Sequence, residues 1–299
     1  MTTLNRLTLK DRDLFKKFLD YSRHELSAYS FENIYIWKGL FTIRWAILRG
    51  ALCVFFQDKI GCFLYLPPLG RRINKETIQE CFQIMDKYNR NKDVSRIENI
   101  EEKDLNIYSN LGLTCKEKYP EYLYAREDLA ELKGDKFKAK RANCNYFIKH
   151  YQFLCQPFVS GDAQACLRLY NRWADERKTS HKDALYQAML VDAAWPLTQL
   201  LHNYRDLNFI GRIVRIGGKV EAFSFGFKIN RQAFCISYEV TNLSFKGLAQ
   251  FIFRQFCREL QDFKYINIMD DSGLENLKRV KLSYRPARLI PAYIATQNA

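Results

Sequence analysis

Twice along its 299 residues the chain passes through the same succession of hydrophobic patterns, and a chain written that way folds as two similar halves. Near the start, Leu14, Phe18, Tyr21 and Leu26 recur at roughly helical spacing behind Thr8 and the acids of DRD, which predicts a first helix within residues 8–28. The β-rich runs TIRWAILRG, ALCVFFQD and GCFLYLPPLG follow, with a hairpin turn at Asp58 to Gly61. INKETIQECFQIMDKYN places Ile78, Phe82, Met85 and Tyr88 three and four residues apart behind the candidate caps Asn74 and Thr77, an amphipathic helix. SRIENI reads as a strand, EEKDLNIYSNLGL as a helix ending at Gly112, and KEKYPEYLYAR as a strand.

The second half repeats this grammar. CLRLYNRWADER is a helix, and LYQAMLVDAAWPLTQLLHNY is further helix interrupted by Pro196. GRIVRIGGKVEAFSFGFKI predicts two strands about a Gly217-Gly218 hairpin, with Phe223, Phe225 and Phe227 on one face. In QAFCISYEV, Phe234, Ile236, Tyr238 and Val240 alternate against Cys235, Ser237 and Glu239. TNLSFKGLAQFIFRQFCREL is a loop and helix, with Leu248, Ile252, Phe256 and Leu260 four residues apart. KYINIMDD is a strand, SGLENLKRVKL a helix and SYRPARLIPAYIA a closing extended segment. The expected class is therefore α/β (α+β): two tandem domains, 1–130 and 151–299, each a mixed, mostly antiparallel sheet flanked by helices.

Between them, residues 131–150 hold Lys133, Lys136, Lys138, Lys140 and Arg141 against few acids. Phe137, Tyr146, Phe147 and Tyr151 punctuate these charges at packing intervals, which predicts a basic interdomain helix that docks by its rings and exposes its lysines. The chain as a whole carries a formal net charge of +14, so its field attracts a polyanion, an anionic membrane surface or a phosphate-bearing donor. No run of about 18 apolar residues is present to span a bilayer, and charges interrupt the place of a signal-peptide core. The expected location is the cytoplasm, with peripheral membrane contact open. Nine cysteines without a CxxC and four scattered histidines suggest neither a disulfide framework nor a metal site.

The order of elements resembles the Gcn5-related N-acetyltransferase (acyl-CoA N-acyltransferase) fold, written twice. More specifically, Tyr29-Ser30-Phe31 with Asn33 and Trp37, the ELKGDKFKAKR bridge at 131–141, Lys246-Gly247-Leu248 with Gln250-Phe251, and Lys281-Leu282-Ser283-Tyr284 with Pro286 carry a second resemblance. Over nearly its full length the chain is similar to the bacterial family of the phosphatidylglycerol lysyltransferase C-terminal domain, a domain of unknown function in many bacteria. That resemblance implies an acyltransferase, moving an aminoacyl group from a charged tRNA to an unknown amine or hydroxyl. Two alternatives stand beside it: an acetyl-CoA-dependent N-acetyltransferase of the same fold, and a non-catalytic module binding RNA or an anionic surface.

The resemblance places the donor at Ser244, Phe245, Lys246, Gly247 and Leu248, where free N–H groups and the dipole of the following helix face an anion. In the first half two prolines remove donors from the matching loop, PPLGRRINKE, so the active site is expected in the second domain alone. Glu239, at the end of the central strand, is the candidate base, and Asp271 competes for that role. Tyr284 is a candidate donor to a leaving oxygen. Phosphates are assigned to Lys136, Lys140 and Arg141 on the bridge, and to Lys278, Arg279, Lys281, Arg285 and Arg288 on and after the last helix. Transfer from an activated ester needs orientation, one proton acceptor and an oxyanion stabiliser; no Gly-x-Ser-x-Gly or Cys/His pair points to a covalent route.

Overall fold

The structure, a computed structural model, describes residues 3–180 and 183–297. The strands in chain order are β1 (Asn5–Arg6), β2 (Thr42–Leu48), β3 (Ala51–Gln57), β4 (Cys62–Leu64), β5 (Arg96–Glu101), β6 (Thr114–Glu117), β7 (Glu121–Ala125), β8 (Leu154–Pro157), β9 (Phe209–Ile216), β10 (Lys219–Lys228), β11 (Ala233–Thr241), β12 (Tyr265–Asn267), β13 (Arg288–Ile290) and β14 (Ala292–Thr296). The α-helices are α1 (Arg12–Leu19), α2 (Phe31–Ile36), α3 (Lys75–Tyr88), α4 (Leu105–Asn110), α5 (Arg126–Glu131), α6 (Lys138–His150), α7 (Ala163–Ser180), α8 (Ala184–Asp192), α9 (Ala194–His202), α10 (Leu248–Glu259) and α11 (Glu275–Leu282). Two compact units result, Met1–Glu121 with Ile290–Ala299, and Tyr122–Leu289.

The sheet of the first unit runs β1-β2-β3-β4-β5-β14-β6. Its β2–β3 hairpin turns on Arg49 and Gly50, at φ 49° and 83°, the paired positive values of a tight turn that matches strand twist. Asn74 caps α3 by accepting from Thr77 N at 2.9 Å, and the helix buries Ile78, Cys81, Phe82 and Met85 on the sheet against Phe55, Leu64 and Ile97. KEKYPEYLYAR is not one strand. It breaks at Tyr119-Pro120, and its two pieces enter different sheets.

The second unit's sheet runs β13-β7-β12-β11-β10-β9-β8. Each sheet thus takes a strand from the far half of the sequence: β7 lies beside β12, and β14 lies between β5 and β6. The units consequently part at Glu121, before the expected boundary at 130, and the closing segment after Leu289 belongs to the first unit. Periodicity marks a strand but carries no label for its partner. The expected interdomain helix, α6, is part of the second unit. Phe147 is fully buried there, with ring centroids 5.0 Å from Phe251 of α10 and 4.8 Å from Phe153. Both sheets are mixed and helix-flanked, as the element order predicts.

Candidate active site

Three features of β11 open a site at its C-terminal end. β11 pairs in parallel with β12 only from Ala233 to Cys235. Past that point the chain leaving β12 stays with β7, Ile268 N donating to Tyr122 O at 3.1 Å, while β11 continues to Thr241 on β10 alone. On that side the backbone edge of residues 236–241 has no strand partner among the described residues. Within it lies a β-bulge: Phe225 pairs with Tyr238 and Gly226 with Ile236, so Ser237 is the extra residue.

The bulge corrects the alternation read from the sequence. Phe234 and Ile236 pack on α10 with Phe253 and Phe256, whereas Tyr238 turns to the other face and donates its hydroxyl to Ala193 O at 3.0 Å. Glu239 therefore comes onto the α10 face together with Phe234 and Ile236 instead of opposite them. Its register partner on β10 is Ser224, fully buried, with a hydroxyl that has no partner among the described residues.

Glu239 keeps a solvent-accessible side chain, yet protein surrounds its carboxyl closely enough to push it up to about 8. Desolvation causes the rise, and the positive charge of Lys140 opposes it. Lys140, on the first turn of α6, is itself lowered by burial, and its ammonium sits 4.1 Å from the ring centroid of Tyr284. Tyr284 follows α11. It is 8% exposed, packs edge-on to Phe253 at 4.9 Å, and is held well above the ordinary phenol range by burial and then by the Glu239 charge. Its hydroxyl has no protein partner among the described residues. Such a phenol stays protonated and keeps a proton to donate. Cys144 and Cys257 lie nearby, but burial pushes Cys144 up to about 11 and holds Cys257 well above the ordinary thiol value, so neither supplies a thiolate.

Asp271 is not brought to this cluster. One carboxylate oxygen accepts from the Tyr122 hydroxyl and the other from Gly273 N at 2.9 Å, which fixes the turn into α11. Lys281 is likewise engaged, donating to the carbonyls of Ile268 at 2.6 Å, Met269 at 3.1 Å and Asp270. Its charge steadies a loop in which Met269 and Ser272 take positive φ. Arg141 spans the carbonyls of Leu132 and Gly134, and Lys136 pairs with Asp128 at 3.0 Å. Lys278, Arg279, Arg285 and Arg288 are exposed on and after α11.

In the loop before α10, Ser244 and Lys246 are exposed, Phe245 is half-buried, and Gly247 and Leu248 are buried. The N–H groups of Ser244, Phe245 and Leu248 are consumed by Asn242 Oδ1, Asn242 O and Phe245 O. Gly247 has φ 87°, and a Cβ built there would lie 2.1 Å from the carbonyl oxygen of Asn143. Helix α6 thus closes one side of the α10 start. Lys246 Nζ lies 4.6 Å from the ring centroid of Tyr146 on the same helix.

Ser224 and the charge of Lys140 acting on Glu239 escaped the sequence reading. The serine falls between Phe223 and Phe225, where alternation flags it only as the opposite face, and a lysine on a basic bridge carries no mark of its partner.

The family model described as phosphatidylglycerol lysyltransferase, C-terminal, matches residues 20–296. No curated protein matches the chain. A solved structure of a conserved protein of unknown function from Bacteroides thetaiotaomicron is similar at TM-score 0.87 and 27% identity, with 100% of each chain covered. The structure of L-PGS from Bacillus licheniformis is similar at TM-score 0.64 and 17% identity, covering 96% of this chain and 92% of that one. A tandem GNAT protein from the clavulanic acid biosynthesis pathway is similar at TM-score 0.55 and 8% identity, covering 100% and 99%. The fold is the tandem GNAT fold.

Proposed function

The chain belongs to the family of the phosphatidylglycerol lysyltransferase C-terminal domain, an acyltransferase family, and from that premise we propose that its second unit moves an aminoacyl group from aminoacyl-tRNA to an amine or hydroxyl acceptor. The observation that supports this most is Glu239, an exposed residue whose carboxyl is enclosed by protein and raised to about 8, at the unpaired edge of β11, where a base must meet an incoming nucleophile.

In this reading the acceptor nitrogen or oxygen attacks the ester carbonyl, and Glu239 takes its proton as the new C–N or C–O bond forms. Collapse of the tetrahedral intermediate breaks the bond to the ribose oxygen, which recovers a proton from the Tyr284 hydroxyl, and Glu239 returns one to the tyrosinate. Lys140 holds part of the Glu239 population ionised near neutral pH. Lys278, Arg279, Arg285 and Arg288 take phosphates of the RNA, together with Lys136 and Lys246. An acetyl-CoA donor fits less well, because the side of the α10 start at Gly247 is already filled by the Asn143 carbonyl.

The test is a titration of the protein with charged tRNA, uncharged tRNA and acetyl-CoA, followed by single-turnover transfer of a labelled amino acid to a panel of amines and hydroxyl-bearing lipids. Tighter binding of charged than uncharged tRNA, with transfer that falls by roughly a hundredfold or more in Glu239→Gln at unchanged tRNA affinity, is the expected result. Binding of acetyl-CoA without discrimination between the tRNAs would replace the donor.

A further inference from the structure

A recess of about 360 Å³ lies in the second unit between α7 and the β9–β10 hairpin, apart from Glu239. Leu169 and Val220, both buried, give it an apolar lining, and Arg168, Arg172, Arg215 and Lys219 bring four cations to it. Two of these are held in place. Arg172 Nη2 lies 2.6 Å from Glu221 Oε2, and Arg215 Nη2 donates to Asp162 Oδ1, while Nη1 of Arg215 reaches Gly218 O at 3.1 Å. Glu221 is 5% exposed and Asp162 6%, so each guanidinium is anchored on a buried carboxylate.

Those carboxylates offset two of the four cations. Arg168 and Lys219 remain, both exposed and with no ion-pair partner among the described residues. Two uncompensated positive charges match the dianion that a phosphate monoester forms above its second pKa of roughly 6. The anchored guanidiniums add planar, fixed N–H donors of the kind that recognise phosphate. Nucleic-acid backbones are followed by extended basic stripes, whereas this is a single concave site with apolar walls, near the lower end of the roughly 300–1,000 Å³ typical of small-molecule sites.

We infer that this recess is a second binding site, which takes a small organic phosphate through Arg168 and Lys219 with Arg172 and Arg215 as fixed donors. Occupancy is coupled to the loop before α10, because the Glu221 carboxylate that anchors Arg172 also accepts from Asn242 Nδ2 at 2.8 Å, and Glu221 O accepts from Asn242 N at 2.8 Å. The inference does not depend on which donor the active site uses.

Calorimetric titration at pH 7.5 with phenyl phosphate and with inorganic phosphate tests it on the full chain. Phenyl phosphate is expected to bind more tightly than inorganic phosphate, because its ring reaches Leu169 and Val220. Arg168→Ala/Lys219→Ala is expected to weaken phenyl phosphate binding at least tenfold. Lys16→Ala/Lys17→Ala, which removes the same charge from exposed positions of α1, is expected to leave it unchanged. Equal weakening in the two double variants, or equal affinity for the two probes, overturns the inference. So does displacement of phenyl phosphate by an RNA hairpin whose own binding is lost in the Arg168/Lys219 variant, which would make the recess a contact for an RNA backbone.

Discussion

A carboxyl poised at about 8 is ionised in only part of its population at neutral pH, so its chemistry carries a pH signature. Single-turnover transfer is expected to rise with pH along a limb centred at about 8 and to level off above it. Among the described residues Lys140 is the positive charge that favours the carboxylate against desolvation, so Lys140→Met should move that limb upward and slow transfer at pH 7. The same group makes folding pH-dependent with a definite sign. In the unfolded chain Glu239 loses its proton near 4.5 and in the folded chain at about 8, so between those values the unfolded state binds fewer protons and stability falls as pH rises. Glu239→Gln removes this slope. Relative to the parent, its urea midpoint should be more favourable at pH 8.5 than at pH 5, by an amount reduced by the residue's contact with solvent.

Helices and hairpins were largely legible because their signals are local. Asn74 caps the predicted helix α3, Gly217-Gly218 turns the predicted β9–β10 hairpin, and Leu248, Ile252 and Phe256 form the buried stripe of α10. The bulge at Ser237 was not legible: an inserted residue leaves apolar and polar residues alternating in the sequence while it exchanges their faces in the sheet. The candidate site was half read. Glu239 and Tyr284 follow from strand and helix ends, but the direction of Lys140, the engagement of Lys281 and the turn-forming role of Asp271 depend on packing from distant elements. The α6–α10 contact gives an element-scale prediction. Gly247→Ala meets both a left-handed φ and the Asn143 carbonyl, and should cost roughly 2–4 kcal/mol, visible as a drop in Tm. Gly112→Ala, at φ 78° with open space around it, meets only the backbone term and should cost about 1 kcal/mol.

At the scale of the whole chain, the exchange of β7 and β14 between the halves decides which parts depend on the C-terminal segment. β14 pairs antiparallel with β5 on one side and β6 on the other, and Ala295 is fully buried. Removing residues 291–299 should therefore abolish hydrogen-exchange protection in β5 and β6 and expose 96–117 to protease. Protection in β10, β11 and α10 should persist. Equal loss in both units would mean that the second depends on that strand as well.

The position of β14 also sets a timetable for biosynthesis. β5 and β6 leave the ribosome early, but the strand that joins them follows about 170 residues later, roughly 10 to 35 s at ordinary rates of translation. During that interval β5 has an unpaired edge, the kind of surface that recruits other nascent chains or a chaperone. Of the two halves, the one that is made earlier is finished later.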